Sequence, residues 1–156
     1  MKSLVVHYSR TGNTRIVAEA TAKELNADLD EIIDLKKRSG PLGWLRAGYD
    51  SGRRKLTRIR VKKNPESYSV IVVGTPIWNN NMTPAVRTYL TNHNLNGKKL
   101  AFFCTAGGSD FKNAFEGMKE LVPESAVLGT LGISKKELES GTYREKIQTF
   151  ILALKK

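Results

Sequence analysis

Leu4-Val5-Val6-His7-Tyr8-Ser9-Arg10-Thr11-Gly12-Asn13-Thr14 is the stretch whose reading decides the fold. Leu4, Val5 and Val6 make a short buried strand, and it runs straight into a turn carrying hydroxyls at 9, 11 and 14 around a flexible Gly12. A helix follows over 14–25, with Ile16, Val17, Ala20 and Leu25 on one broad apolar face and neither Gly nor Pro inside. At such a strand-to-helix junction the first backbone N–H groups of the helix point outward. The helix dipole adds positive potential there, so neutral donors can hold a phosphate. The turn lacks both the lysine of G-x-x-x-x-G-K-[ST] and the spacing of G-x-G-x-x-G, which argues against a triphosphate or dinucleotide site. Taken alone, the same residues also suit an ordinary polar turn.

Working outward, four further strands alternate with helices. Asp28–Leu35 reads as a second strand built round Ile32 and Ile33, and Val70–Val73 as a third, β-branched throughout and fit for burial on both faces. Thr83-Pro84 is a helix start, with Thr as N-cap and Pro at the first helical position, and that helix ends near Asn94. Lys99–Cys104 is the fourth strand. The Gly-rich turn Thr105–Asp110 precedes a helix carrying Phe111, Ala114, Phe115, Met118 and Leu121, for which Ser109 or Asp110 is the expected N-cap. Ala126–Ile133 is the fifth strand, and Thr142 with Glu145 forms an expected capping box before Ile147, Phe150, Ile151 and Leu154. This order predicts an α/β domain spanning 1–156, with a parallel sheet covered by helices on both faces. Ligands of such sheets bind beyond the carboxyl ends of the strands, where the loops after strands one, three and four converge.

Composition narrows the function. Residues 35–63 hold eleven basic side chains and one acid, Asp50, so this insert carries +10 of the net charge of +11 and the rest of the chain is nearly neutral. Trp44, Leu45, Ala47 and Tyr49 within it predict a short helix or two packing an apolar side downward. The lone Cys104 excludes an intramolecular disulfide, and no secretory signal is evident, so a cytoplasmic protein is expected. No apolar run approaches the roughly 18–20 residues of a membrane span. His7 and His93 lack metal-ligand spacing, and no nucleophile or acid–base constellation stands out, so both histidines and Cys104 are read as structural, with no metal and no catalytic residue assigned.

The opening stretch resembles that of flavodoxins, whose S/T-x-T-G-x-T loop holds the phosphate of flavin mononucleotide (FMN). Gly74-Thr75-Pro76-Ile77-Trp78-Asn79-Asn80-Asn81-Met82-Thr83-Pro84-Ala85-Val86 is similar to the family's G-T-P-I-W-x-x-x-M-x-P-A-V segment, and Thr105-Ala106-Gly107-Gly108-Ser109 to its third flavin loop. The resemblance implies a flavodoxin-like three-layer sandwich, and with it come the strand order 2-1-3-4-5 and a ligand at the switch point of that order. It also implies noncovalent FMN. Ser9, Arg10, Thr11, Gly12, Asn13 and Thr14 would take the phosphate. Thr75, Pro76, Ile77, Trp78, Asn79 and Asn80 would line one side of the ring, with Trp78 as the stacking surface, and Thr105, Ala106, Gly107, Gly108 and Ser109 would meet the pyrimidine edge.

Electron transfer between redox partners is the implied function. Alternatives are an FMN-dependent oxidoreductase acting on a quinone or porphyrinogen, and a flavodoxin-like binding module without redox activity. The insert is expected to dock an acidic redox partner or a reductase on Arg53, Arg54 and Lys55, or to capture an anionic small molecule such as a nicotinamide dinucleotide phosphate, and nucleic acid is not expected, since no reader motif accompanies the charge. Two departures from the family pattern suggest a differently tuned flavin. Asn80 stands where many flavodoxins have Gly, which makes a peptide flip beside the ring costlier and implies a less stabilised one-electron-reduced flavin. The basic insert replaces the usual acidic surroundings, which implies an easier second reduction.

Overall fold

Short β-branched runs alternating with helix-forming segments give one parallel sheet between two helical layers. The computed structural model describes residues 2–156. In chain order the elements are β1 (Ser3–His7), α1 (Asn13–Leu25), β2 (Asp28–Glu31), β3 (Ile33–Asp34), α2 (Gly40–Gly52), β4 (Ile59–Arg60), a 3-10 turn (Pro65–Ser67), β5 (Val70–Trp78), β6 (Asn81–Met82), α3 (Pro84–Asn92), β7 (Lys99–Ala106), α4 (Lys112–Glu120), β8 (Ala126–Ser134), α5 (Lys135–Ser140) and α6 (Tyr143–Leu154). The parallel strands run in the order β2-β1-β5-β7-β8, the flavodoxin order, and β6 folds back antiparallel on the end of β5.

Period-two alternation divides the core. Leu4, Val6, Ile71, Val73, Leu100, Phe102 and Cys104 point to the face covered by α3 and α4, where Tyr89 and Met118 are fully buried. Val5, Val72, Ala101, Phe103, Leu131 and Ile133 point to the opposite face, against Val17 and Ala18 of α1 and Ile147, Phe150 and Ile151 of α6. Each large apolar side chain removed from water here contributes roughly 1.5–3 kcal/mol. Burial also raises the pKa of the Cys104 thiol, so it stays protonated and inert.

Several local expectations are corrected. The second strand breaks after Glu31: Ile32 is buried, whereas Ile33 is exposed and pairs, within β3, antiparallel to β4. This two-stranded ribbon closes the base of the basic insert, with Leu35 N–H donating to the Arg58 carbonyl at 2.9 Å. Within the insert α2 does form, but its large apolar residues do not pack downward. Leu42, Trp44, Leu45 and Tyr49 face solvent, while Gly43, Ala47, Asp50 and Ser51 are buried.

A stripe of small residues lets the α2 backbone approach closely, and two polar side chains fix it. At Gly43 a Cβ would collide with the Arg38 backbone, and at Gly52 with the Asn79 side chain. Arg38, nearly fully buried, donates to Asp34 at 2.6 Å and to Asp50 at 3.0 Å, and Ser51 Oγ donates to the Met82 carbonyl at 2.7 Å.

Helix starts also differ. Thr83 caps α3 as expected, accepting from Val86 N–H at 3.4 Å. Ser109 and Asp110 do not cap α4: Phe111 takes that position without a side-chain cap bond, and its ring sits where a Cβ on Gly132 would be, so aromatic packing sets the start. Thr142 stands at the N-cap of α6 but makes no cap bond. The capping box lies at Ser134 and Glu137, which exchange bonds of 3.2 and 2.8 Å and open the unforeseen α5. The Ser134 amide and Lys146 hold the Glu137 carboxyl below the usual range.

Candidate functional site

The carboxyl ends of β1, β5 and β7 release three loops onto one edge, and between these loops lies an open cavity of about 320 Å³. Its lining includes Arg10, Thr11, Asn13 and Thr14 from the first loop, Pro76, Ile77 and Trp78 from the second, and Thr105, Ala106 and Gly107 from the third. Ten of the seventeen residues singled out from the sequence thus meet at one surface.

The first loop is built to leave donors free. Gly12 occupies the N-cap of α1 at φ 101°, a conformation suited to glycine, and offers no side-chain cap. Ser9 Oγ instead accepts from the Gly12 and Arg15 amides at 3.1 and 3.3 Å, folding the turn back on itself. Among the described residues, the amides of Thr11, Asn13 and Thr14 have no partner. No acid occupies the first turn of α1, and none lines the cavity, whereas Arg10 and Lys135 do. Unpaired amides, a helix N-terminus and two cations define a site for an anionic group. Thr14 Oγ1 and Thr105 Oγ1, buried and 2.8 Å apart, join the first loop to the third.

The second loop is a hairpin. Trp78 pairs with Asn81 across Asn79 and Asn80, which take φ 49° and 61°, the signature of a two-residue turn with both central residues left-handed. Asparagine tolerates this region better than other non-glycine residues. Neighbours hold the turn from both sides: Asn79 Nδ2 donates to the Gly48 carbonyl of α2 at 3.4 Å, and Asn113 Nδ2 of α4 donates to the Asn80 carbonyl at 2.9 Å. Trp78 stands edge-on to Tyr8, ring centroids 5.5 Å apart, with the Arg10 guanidinium 5.8 Å from its ring. Burial raises the Tyr8 hydroxyl pKa, which keeps this neighbour neutral.

Seven of the singled-out residues stand off the cavity. Ser9 and Gly12 shape the first loop from behind. Thr75 is buried, its Oγ1 donating to the Pro76 carbonyl at 2.8 Å and accepting from the Thr83 amide at 3.1 Å. Asn79 and Asn80 form the hairpin tip, Gly108 is exposed, and Ser109 borders a different cleft beside α5 and α6. Conversely, Trp44 of α2, Ile133 and Ser134 at the end of β8, and Lys135 and Leu138 of α5 line the cavity without having been singled out. The Ser134-Lys135-Lys136-Glu137 capping box carried the missed signal, since a helix opening at the end of the fifth strand must open on the same edge.

The family model described as flavodoxin matches residues 2–146. The chain belongs to the flavodoxin family. Among solved structures with this flavodoxin fold, a candidate flavoprotein from Bacteroides eggerthii is 25% identical, with 91% of this chain and 96% of that one covered at a TM-score of 0.75. A second, from Bacteroides uniformis, is 22% identical over 91% and 97% at 0.77. A flavoprotein in complex with FMN from Lactobacillus acidophilus is 20% identical over 90% and 98% at 0.67. No curated protein sequence matches the chain. No helix among the described residues is long and apolar enough to cross a membrane, and no group of metal-ligating side chains is present among them.

Proposed function

We propose that this flavodoxin binds FMN noncovalently and passes electrons through it between redox partners. Membership of the family and the FMN-bound Lactobacillus neighbour support FMN as the cofactor. The observation that carries the reading is the cavity itself, where the three loops meet with two cations, unpaired amides and no acid. The Thr11, Asn13 and Thr14 amides would hold the phosphate. Pro76, Ile77 and Trp78 would lie along the ring, Thr105 to Gly107 would meet its polar edge, and Trp44 would close the side toward α2. FMN supplies the redox chemistry, and this chain's residues bind it, orient it and set its surrounding charge.

Arg53, Arg54 and Lys55 follow the end of α2, close to the hairpin that Asn79 ties to that helix, and would dock an acidic redox partner or a reductase. The test is purification with FMN, absorbance stoichiometry, and reduction by nicotinamide dinucleotides with and without a flavodoxin reductase. A single FMN per chain, reduced only through the reductase, is the expected result. Protein that fails to quench FMN fluorescence overturns the cofactor assignment, and direct turnover of a dinucleotide with a quinone replaces the carrier by an oxidoreductase.

A further inference from the structure

Helix α2 leaves an unexplained surface. Trp44, Leu45 and Tyr49 are 65%, 60% and 54% exposed on its outer side, although the same helix buries only small or anchoring residues. They do not form a flat patch. Together with Ile77, Trp78 and Arg10 they wall a concave space of about 440 Å³ between α2 and the second loop, and that space borders the flavin cavity because Arg10, Trp44, Ile77 and Trp78 line both. Its size falls within the roughly 300–1,000 Å³ of small-molecule sites, and aromatic walls with one placed charge are the usual lining of such sites.

Charge decides what fits. No acidic side chain lines this second space, and Arg10 makes no hydrogen bond or salt bridge among the described residues, its guanidinium lying 5.8 Å from the Trp78 ring. Arg53 and Lys55 flank Tyr49, at 5.5 and 5.0 Å from its ring centroid. Three aromatic surfaces under positive potential recognise a flat π-system bearing a negative charge. A partner protein would bury a broad surface, whereas this one is a cleft walled on two sides.

We infer that the cleft between α2 and the Trp78 hairpin is a second binding site, for a flat aromatic anion held between Trp44, Tyr49 and Trp78 with Arg10 as its cation. The inference rests on the FMN reading only in placing this ligand beside the flavin, and its test reads binding, not turnover. FMN-loaded protein is titrated with anthraquinone sulfonate and with neutral hydroxymethyl anthraquinone, following tryptophan quenching and heat, while flavin fluorescence reports any FMN released. Saturable binding with FMN retained is expected. Tyr49→Ala should weaken the sulfonate about tenfold without changing FMN affinity, since Tyr49 lines the second space and not the flavin cavity. Arg10→Met, titrated as flavin-free protein because Arg10 also lines the flavin cavity, should weaken the sulfonate about tenfold relative to the neutral compound. Absence of saturable binding, displacement of FMN, or affinity indifferent to Tyr49→Ala overturns the inference, as does binding confined to acidic proteins. A protein that takes no FMN fails the earlier proposal alone, because the same titration on flavin-free protein still reads the cleft.

Discussion

Replacing Asp50 by Asn should release α2 from the rest of the molecule. The Asp50 side chain is 3% exposed and accepts from Arg38, itself 3% exposed, at 3.0 Å and from the more exposed Lys36 at 2.6 Å. Removing one partner of a buried pair costs about 3–5 kcal/mol, because the other charge stays buried. Asp34, 2.6 Å from Arg38 Nε, still compensates part of that charge, so the lower end, ~3 kcal/mol, applies. The Lys36 contact adds at most about 1 kcal/mol, since water screens it.

With an m-value of about 2–3 kcal/mol/M, the urea midpoint should fall by about 1–2 M. Trp44 rides on α2, so FMN affinity should fall as well, read by flavin fluorescence. The pH dependence has a definite sign. Burial alone would raise the Asp50 carboxyl, but hydrogen bonds and charge from Lys36 and Arg38 outweigh it and hold the folded pKa below its usual value. Its stabilisation is therefore complete above the unfolded pKa of about 3.9 and is lost as pH falls through the lower, folded value. The gap between wild type and Asp50→Asn should close only in that acid range. An unchanged urea midpoint together with unchanged protease sensitivity over 40–52 would refute the anchoring argument.

Gly12→Ala meets no steric obstacle but imposes φ 101° on an L-residue, so strain of about 1–3 kcal/mol should distort the loop and weaken FMN at least fivefold, measured by fluorescence titration. Reversing Arg53, Arg54 and Lys55 to Glu should make the second flavin reduction potential more negative. The shift should shrink with added salt, and a salt-independent or absent shift in a redox titration counts against through-space tuning. Asn80→Gly should ease rearrangement of the hairpin, in which Asn79 and Asn80 both hold positive φ, and raise the fraction of one-electron-reduced flavin at the midpoint; identical spectra for both proteins would remove Asn80 from the account.

The strand order came with the family resemblance, whereas the buried strands and most of the cavity lining were legible from patterns local in sequence: short apolar runs in β1, β5 and β7, and three polar turns at strand ends. The orientation of α2 was not. Counting Trp44, Leu45, Ala47 and Tyr49 as one packed side follows hydrophobicity, yet of these only Ala47 is buried: the side that docks is chosen by small residues at 43 and 47 and by Asp50, whose partner Arg38, itself paired with Asp34, lies across a turn. Pairing of β3 with β4 is likewise non-local and left Ile33 outside the sheet. The α4 start failed for a similar reason, since Phe111 answers to Gly132 on a distant strand and not to its own neighbours. Capping chemistry was readable at Ser134 but was assigned to Thr142, whose hydroxyl bonds Ser140 at 3.0 Å instead.

The hydroxyl contact between Thr14 and Thr105 bears on kinetics. It ties the first turn of α1, which follows β1, to the end of β7 across the intervening β5, so the width of the mouth is fixed by the fold before any ligand arrives. Capture then needs no closing motion. The encounter rate should be governed by diffusion and charge, falling with solvent viscosity and rising at low ionic strength, in a single exponential phase. Residence time, in contrast, rests on how many of the loop amides the phosphate satisfies at once.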